Sequence, residues 1–432
     1  MAAVLIGAAP TDAAPLAINP PAAANDLRGS VIVGYQGWLD CPGDDPLNPR
    51  GWSHWFSGSP DPDNFRVDLL PFTGECDPAD LCATQMRRRG DGAVIHLFSS
   101  LDPSVVKTHF RWMAENNIAG AAVQRFVNGL GDPSLKSHDD RLLSNVRAAA
   151  ETYGRVFYVT YDVSGANPAT VFNDIRNDWR YLVEDLKLTA SPRYLRYRGK
   201  PVLEIWGFGF VGPKYPSDPA QTLALLTELK SGASGVAPVT LIGGVPSHWR
   251  TLNHDSSSDS RWEQVYRTYD VLSPWTVGRF SDSSRADRFL QQVVIPDLAE
   301  TGRRGIEYLP VIYPGYSFYN ASRMGEFGGV TLPLNLIPRD CGNFYWRQIH
   351  DLLSVHVTML YAAMFDEVDE GTALFKVVPH QRDLPVGVDM LALDQDGCNL
   401  PSDWYLRLTS EAADYLKART IPPASPPIAP KP

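Results

Sequence analysis

Four carboxylates crowd into one short stretch of this chain, Met364-Phe365-Asp366-Glu367-Val368-Asp369-Glu370-Gly371-Thr372. The stretch closes an apolar run, Val355 to Met364, whose composition is typical of a buried β-strand. Like charges raise one another's pKa, so stability alone disfavours such crowding, whereas acid/base chemistry requires it. A solvated acidic loop is the alternative interpretation. The position of the strand in the fold decides between the two.

Within this cluster, Glu367 and Glu370 are the candidate catalytic residues. They stand three positions apart across a turn, so both can face one cleft in different environments. A carboxylic acid of raised pKa can protonate a glycosidic oxygen while a second carboxylate acts as base or nucleophile. Asp366 and Asp369 would then hydrogen-bond the substrate or orient the two glutamates.

A divalent-metal site is a competing use of four carboxylates. The spacing does not match a dedicated Ca²⁺ loop, and no histidine joins the cluster in sequence. The prediction is therefore a site without a metal or another cofactor.

The rest of the chain alternates short apolar, β-branched or aromatic runs with helical patterns. Strands are predicted at 31–36, 119–126, 156–162, 201–206, 238–245, 271–275, 306–313 and 355–366. Helices are predicted after Asp102-Pro103, from Asp139, and at 178–188, 219–230, 260–266, 284–300, 343–353 and 402–417.

Eight strands, each followed by a helix, predict an α/β fold of the (β/α)8 TIM-barrel type. The alternative is an open doubly wound sheet, which the absence of a Gly-rich phosphate loop after the first strand disfavours. A Pro/Gly/Asp-rich insertion over 37–92 predicts a long first βα loop, in which we also place the surplus apolar run 94–98. The catalytic domain is expected at 29–420, after a signal-like or disordered extension (1–28) and before a Pro-rich disordered tail (421–432).

Active sites of such barrels lie at the C-terminal ends of the strands. Polar and aromatic residues at or near the predicted strand ends are the candidate substrate-binding residues: Tyr35, Trp38, His54, Trp55, Gln124, Arg125, Asp162, Glu204, Trp206, Trp275, Tyr313 and Asp366. Aromatic faces cover sugar rings, and carboxylates, amides and guanidinium groups bind hydroxyls. Each residue also has a plainer interpretation. A single Trp or Tyr is often core packing, His54 could be structural, and Arg125 could pair with Asp162 or with a cluster carboxylate.

Charge and cysteine content indicate the partners and the compartment. The 432 residues carry a formal net charge of -10, which disfavours nucleic acid and anionic membranes and suits neutral or cationic ligands, of which carbohydrate is the commonest neutral one. No stretch approaches the roughly 18 apolar residues of a membrane span. The five cysteines show no metal-binding pattern, and Cys76 and Cys82 are close enough in sequence to form a small disulfide. We expect a secreted monomer whose partner is a carbohydrate substrate.

Several segments of the chain together resemble the glycoside hydrolase family 99 and family 71 group, including xylosidase/arabinosidase-like proteins. They are Gly34-Tyr35-Gln36-Gly37-Trp38, His54-Trp55, Phe98-Ser99-Ser100-Leu101-Asp102-Pro103, Cys341-Gly342-Asn343-Phe344-Tyr345-Trp346 and the acidic stretch that ends at Thr372. The resemblance implies a (β/α)8 barrel and endo-α-mannosidase-like chemistry. The family motif Glu-Trp-His-Glu-Gly-Thr corresponds to Glu367 through Thr372.

The resemblance also implies a retaining mechanism without a protein nucleophile. Glu367 would take the proton of the substrate 2-hydroxyl, which attacks the anomeric carbon, and Glu370 would protonate the leaving oxygen and later activate water. Val368-Asp369 replaces the family's Trp-His, so the reaction carries over better than the substrate. The prediction is a retaining glycoside hydrolase for an α-linked polysaccharide or glycan. A non-hydrolytic carbohydrate-binding or glycan-assembly protein on the same barrel is the alternative.

Overall fold

The computed structural model describes residues 17–45, 50–233, 235 and 237–430, which form a curled, mainly parallel sheet surrounded by helices. Its strands are β1 (Ser30–Tyr35), β2 (Leu81–Arg87), β3 (Val94–Phe98), β4 (Gly120–Phe126), β5 (Val156–Asp162), β6 (Arg196–Tyr197), β7 (Lys200–Trp206), β8 (Thr240–Pro246), β9 (Val271–Trp275), β10 (Glu307–Tyr308), β11 (Val311–Ile312) and β12 (Met359–Ala362).

The parallel strands run in the order β10-β9-β8-β7-β5-β4-β1-β12-β11. The predicted seventh strand is split into β10, which pairs with β9, and β11, which pairs with β12. Leu309 and Pro310 lie between the two halves and form hydrogen bonds to the strands on either side. The amide of Leu309 donates to Leu272 on β9, and the carbonyl of Pro310 accepts from the amide of Tyr361 on β12. The two ends of the sheet therefore meet at this strand, and the predicted (β/α)8 barrel is confirmed.

The helices are α1 (Pro103–Glu115), α2 (Pro133–Tyr153), α3 (Val171–Glu184), α4 (Pro219–Ser231), α5 (Trp262–Tyr266), α6 (Ser283–Phe289), α7 (Ile295–Arg304), α8 (Tyr319–Arg323), α9 (Asn343–Ser354) and α10 (Trp404–Ala418). Three of them begin with Asp-Pro. The carboxylates of Asp102, Asp132 and Asp218 accept hydrogen bonds from amides of the first turn, and the proline fills a position whose amide has no helical partner.

Some predicted boundaries differ from the structure. Helix α2 begins at Pro133 rather than at Asp139, because Asp132 caps it, and α3 begins at Val171 rather than at Asp178. The predicted eighth strand, 355–366, is shorter because α9 ends at Ser354 and the turn after it occupies the start of that apolar run. Apolar composition alone does not distinguish the end of a buried helix from a buried strand.

The long first βα loop is confirmed, and it contains an antiparallel hairpin of β2 and β3, the latter over the surplus run 94–98. A disulfide between Cys41 and Cys82 ties the hairpin to the segment that follows β1, and a second disulfide joins Cys341 to Cys398. The pairing considered for Cys76 and Cys82 is wrong, since Cys76 is a half-buried free thiol. Sequence proximity did not reveal that the hairpin brings Cys82 back toward the start of the loop.

Both chain ends lie against the barrel where they are described. Residues 17–28 follow the ends of α1 and α2, where the amide of Ala22 donates to Gly154, while the signal-like stretch before residue 17 lies outside the described residues. A disordered tail is expected at 421–432, and the described residues 421–430 contact two helices: the indole of Trp346 on α9 donates to the carbonyl of Pro423 at 2.9 Å, and Nη2 of Arg407 on α10 donates to the carbonyl of Ala429 at 3.3 Å.

Candidate active site

The acidic cluster lies in a tightly folded loop at the C-terminal end of β12. The amide of Phe365 still donates to Gly34 on β1, and the amide of Leu374 returns to the carbonyl of Met364. Gly371 turns the loop with a φ of 63°, and a Cβ there would lie 2.9 Å from the amide nitrogen of Ser317. Glycine is therefore required at the turn, and the backbone fixes where the carboxylates point.

Asp366 clamps this loop to the end of β1. Its two carboxylate oxygens accept hydrogen bonds from the backbone amides of Gln36 and Gly37, both at 2.8 Å. The side chain is 1 % exposed, and burial raises its pKa to about 7 although the two amides oppose the rise. Asp366, predicted to bind substrate, instead uses both oxygens to hold two strand ends together.

Glu367 is held by two side-chain donors. The amide nitrogen Nε2 of Gln36 donates to Oε1 at 3.0 Å, and the hydroxyl of Thr372 donates to Oε2 at 3.1 Å. Burial raises the pKa of Glu367 well above its ordinary value, and the negative charges of Glu370 and Asp369 raise it further. The carboxyl is thus oriented from both sides inside a strongly acidic environment.

Glu370 is more accessible than Glu367, being only partly buried. Burial raises its pKa to about 7, the charge of Asp369 acts in the same direction, and Lys214 opposes the rise. The predicted pair therefore occupies two different environments, one enclosed and one at the surface of the cleft. A carboxyl that titrates near neutral pH is suited to both donating and accepting a proton.

Aromatic rings form one wall beside the pair. The ring of His54 stacks on Trp38 with centroids 4.1 Å apart, and Trp38 stacks on Phe126 at 5.5 Å. His54 adopts a φ of 59°, and its Nδ1 lies 3.7 Å from a carboxylate oxygen of Asp369. His54 thus lies next to the acidic loop, and Trp38 stacks on His54.

Strand register arranges further predicted residues in two layers. Gln124, Thr160 and Glu204 are partners across neighbouring strands, and two positions later Phe126, Asp162 and Trp206 are partners. Glu204 accepts hydrogen bonds from Tyr158 and Thr160 at 3.1 Å, and burial raises its pKa to about 7. Glu204 and Gln124 thus belong to the lower layer, inside the barrel.

The upper layer lies at the mouth of the barrel. Burial raises the pKa of Asp162 to about 6, and its Oδ1 accepts from the amide of Ser164. Trp206 packs edge-on against Trp275 with ring centroids 5.5 Å apart, and both rings remain partly exposed. Asp162, Trp206 and Trp275 therefore lie on the side of the mouth formed by β5 to β9.

Four predicted substrate-binding residues are fully buried and are bonded to other protein groups. Tyr35 hydrogen-bonds His109 on α1, and Arg125 forms an ion pair with Asp178 on α3, not with Asp162 or the cluster. The other two donate to backbone carbonyls in the packed interior, Trp55 to Phe98 and Tyr313 to Phe280.

Strand alternation explains why Tyr35 and Arg125 point away from the barrel interior. Successive side chains of a strand point to opposite faces, so Arg125 points outward when Gln124 and Phe126 point inward. By the same rule Tyr35 points outward and Gln36 reaches Glu367.

Several residues at the site were missed by the sequence reasoning. Gln36 and Thr372 bond Glu367, and the phenol of Tyr316 lies close enough to the pair that, after burial, Glu370 and Glu367 are the largest causes of its raised pKa. Lys214 and Tyr215 come from the loop after β7. Alternation alone could have identified Gln36, whereas loop residues follow no period and gave no indication.

Metal binding and membrane insertion are two further properties that the described residues inform. No group of three or more His, Cys, Asp or Glu side chains among them is arranged to hold a metal ion. None of the helices in the same part of the chain has the length and apolar composition needed to cross a membrane.

The comparisons with known proteins concern the fold. No protein-family model and no curated protein matches the sequence. Two solved structures of the glycoside hydrolase family 99 endo-α-mannosidase from Bacteroides thetaiotaomicron resemble the chain, the second of them in complex with bis-tris-propane. They have TM-scores of 0.60 and 0.58 and are 17% and 16% identical to it, and each match covers 91% of this chain and 99% of the other. The chain thus has a barrel fold like that of family 99, while the likeness to family 71 stays a prediction.

Proposed function

We propose that the protein is a glycoside hydrolase whose catalytic residues are Glu367 and Glu370. The observation that carries this proposal is the position of the two carboxyls at the C-terminal end of the eighth barrel strand, one enclosed and one accessible, both with raised pKa. The stacked Trp38 and His54, together with Trp206 and Trp275, supply ring faces suited to sugars.

Glu370 acts as the general acid and base. Its pKa of about 7 allows it to hold a proton for the glycosidic oxygen at neutral pH and to take one from water afterwards. Its partial exposure places it where a leaving group and a water molecule can reach it.

Glu367 acts as the base that accepts the proton of the substrate 2-hydroxyl. Burial raises its pKa, and the hydrogen bonds donated by Gln36 and Thr372 oppose that rise because they favour the ionised form that a base requires. Because the charges of Glu367 and Glu370 repel, a proton on Glu370 helps to keep Glu367 ionised. The 2-oxygen, its proton passed to Glu367, displaces the leaving oxygen from the anomeric carbon, and the leaving oxygen takes the proton of Glu370. Water deprotonated by Glu370 then opens the resulting 1,2-anhydro ring while Glu367 returns its proton to the 2-oxygen. The two inversions give retention without a protein nucleophile, and they require a substrate with a free 2-hydroxyl trans to the leaving group, as in α-mannosides.

The substrate class and the compartment complete the proposal. The structural neighbours are named endo-α-mannosidases, so α-linked mannose polymers are the first substrates to test, although Val368-Asp369 gives this chain a different surface between the two glutamates. Two disulfides support an oxidising compartment, and we propose that the enzyme is secreted.

The experiment is a screen of plant, fungal and bacterial glycans by product chromatography, with proton NMR of the first product to read its anomeric configuration. Glu370→Gln and Glu367→Gln should each abolish turnover of unactivated substrates and retain ligand binding. Glu184→Gln, an exposed position on α3, is the matched control and should turn over normally.

The outcomes separate the alternatives. Unchanged turnover in Glu370→Gln contradicts the assigned role. Sugar binding by the parent protein without product from any glycan favours the non-hydrolytic binding or assembly protein instead. An inverted product anomer refutes the retaining mechanism.

A further inference from the structure

A large cavity opens on the side of the barrel mouth that follows β7, β8 and β9. Its volume is about 820 Å³, and its walls come from the loops after β7, β8 and β9 and from the helical segment 283–304. That volume is in the range of sites for small molecules or one to a few sugar units. The part of the helical segment from Leu290 to Val294 is wound as a π-helix, a feature frequent at functional sites, and Gln292 and Val293 of this turn line the cavity.

The cavity wall is rich in cations. Arg279, Arg285 and Arg288 line it together with His248 and His254, whose rings lie 4.3 Å apart. These three guanidinium groups remain charged at any physiological pH, and their planar donor geometry matches carboxylate, sulfate and phosphate oxygens.

One carboxylate, Asp255, lines the same wall, and it is already fully engaged. Its oxygens accept from the amide and hydroxyl of Ser247, from the amide and ring of His248, and from Nε of Arg279 at 2.9 Å. These donors lower the pKa of Asp255 to about 2 although burial opposes them. Asp255 therefore fixes Arg279 and His248 in place and neutralises one of the three arginines.

Arg288 keeps its charge fully available to a ligand, since it makes no hydrogen bond or ion pair with any residue in the described part of the chain. Arg285 forms an ion pair at 3.3 Å with Asp282, whose side chain is 51% exposed, so water screens this pair. The chain as a whole has a formal net charge of -10, so a cationic wall at this point is a local feature and not a consequence of composition.

Tyr215 lies between the cavity and the carboxylates of the mouth. Tyr215 lines the cavity and packs on Trp206 with ring centroids 5.9 Å apart. Burial raises the pKa of Tyr215 to about 12, and the charges of Asp162 and Glu370 add to the rise while Arg279 opposes it. Tyr215 thus lies between the carboxylate side of the mouth and the arginine side.

We propose that this cavity binds an anionic substituent of the glycan substrate, a carboxylate, sulfate or phosphate carried on a sugar close to the bond that is cleaved. This inference rests on the proposed glycoside hydrolase function and names the substrate class for it. It replaces the expectation, drawn from net charge alone, of a neutral or cationic ligand. The neutral sugar rings lie over Trp206 and Tyr215, and the anionic group meets Arg288 and Arg285.

The test uses pairs of glycans that differ only in charge. Glucuronic-acid-containing oligosaccharides are compared with their carboxyl-reduced forms, phosphomannan fragments with dephosphorylated ones, and sulfated oligosaccharides with desulfated ones. Titration calorimetry on the intact protein measures binding at low and high salt, and product chromatography measures turnover. We expect one acidic member to bind about tenfold more tightly than its neutral partner, with a difference that shrinks at high salt.

Variants assign the selectivity to the cavity. Arg288→Ala should remove most of the preference for the acidic partner, and Arg288→Glu should reverse it. Arg303→Ala is the matched control, an arginine on α7 whose side chain is 71% exposed and whose partner Glu300 retains other arginines.

Two results overturn the inference. The first is equal binding of every acidic and neutral pair, and the second is a preference that survives in Arg288→Glu. Failure of the proposed function has a different signature: no glycan yields product, although the calorimetric preference and its loss in Arg288→Glu are still measured.

Discussion

Replacing Glu370 with Gln is expected to stabilise the fold at alkaline pH while it abolishes turnover. Folding raises the pKa of this carboxyl from its ordinary value of 4.5 to about 7, mainly through burial. At 1.36 kcal/mol per pKa unit, ionised Glu370 lowers the free energy of unfolding by about 3 kcal/mol. Screening by water at this partly exposed position reduces the figure to about 2 kcal/mol.

The sign and the pH window follow from the raised pKa. The stability is fully present below about pH 4.5 and is lost as the pH rises through about 7, because the folded protein holds the proton more tightly than the unfolded chain. Glu370→Gln cannot ionise and does not lose this stability. Its advantage over the parent should therefore be near zero at pH 4.5, grow between pH 4.5 and 7, and stay constant above.

Urea unfolding at pH 4.5, 7 and 8.5 measures the difference, with Glu184→Gln as the control. Buried carboxyls such as Asp366 and Glu204 are present in both proteins, so their contributions cancel in the comparison. Removing the charge of Glu370 also lowers the pKa of Glu367, which adds to the gain. A variant less stable than the parent at pH 8.5, or a difference independent of pH, would refute the reasoning.

Three further changes test other parts of the site. Asp369→Asn removes a charge that raises the pKa of Glu370, so the alkaline limb of the pH–kcat/KM profile should move about one unit lower; an unmoved limb contradicts this. Asp366→Ala leaves two buried amides without an acceptor and should lower the free energy of unfolding by about 2–4 kcal/mol in urea, whereas a loss under 1 kcal/mol would show that the clamp is weak. Cys82→Ser removes a disulfide and should lower the free energy of unfolding by about 2–4 kcal/mol, whereas Cys76→Ser removes only a free thiol and should change it little. Thermal unfolding of the two variants measures the difference, and equal stability of the two would contradict it.

The fold followed from the sequence because barrel strands and helices have simple periods. Alternating apolar strands and Asp-Pro helix starts identified the barrel, and the acidic stretch was expected at its mouth. The boundaries around 355–366 were less well predicted, since the last turn of α9 and the first residues of β12 are both buried and apolar. An apolar composition indicates that a segment is buried, but the backbone hydrogen bonds determine whether it is a helix or a strand.

The prediction of site residues was inaccurate where it did not take the alternation of side chains along a strand into account. Both Gln124 and Arg125 were predicted to bind substrate, although neighbours in one strand cannot face the same side. The structure places Arg125 among Asp178 and Asp140 in the helix layer and Gln124 inside the barrel. Fixing one inward residue for each strand would have excluded Arg125 and Tyr35 and selected Gln36.

The loop residues that contact the acidic stretch could not be predicted from the sequence. These contacts also determine the role of each carboxylate. Four adjacent carboxylates would be equivalent in an extended chain. In the folded protein the amides of Gln36 and Gly37 occupy Asp366, Gln36 and Thr372 orient Glu367, and Lys214 opposes the raised pKa of Glu370. Gln36, Gly37 and Lys214 are distant in sequence from the acidic stretch, and Thr372 lies on the other side of its turn. Differentiation of the two glutamates into base and acid therefore depends on the tertiary fold.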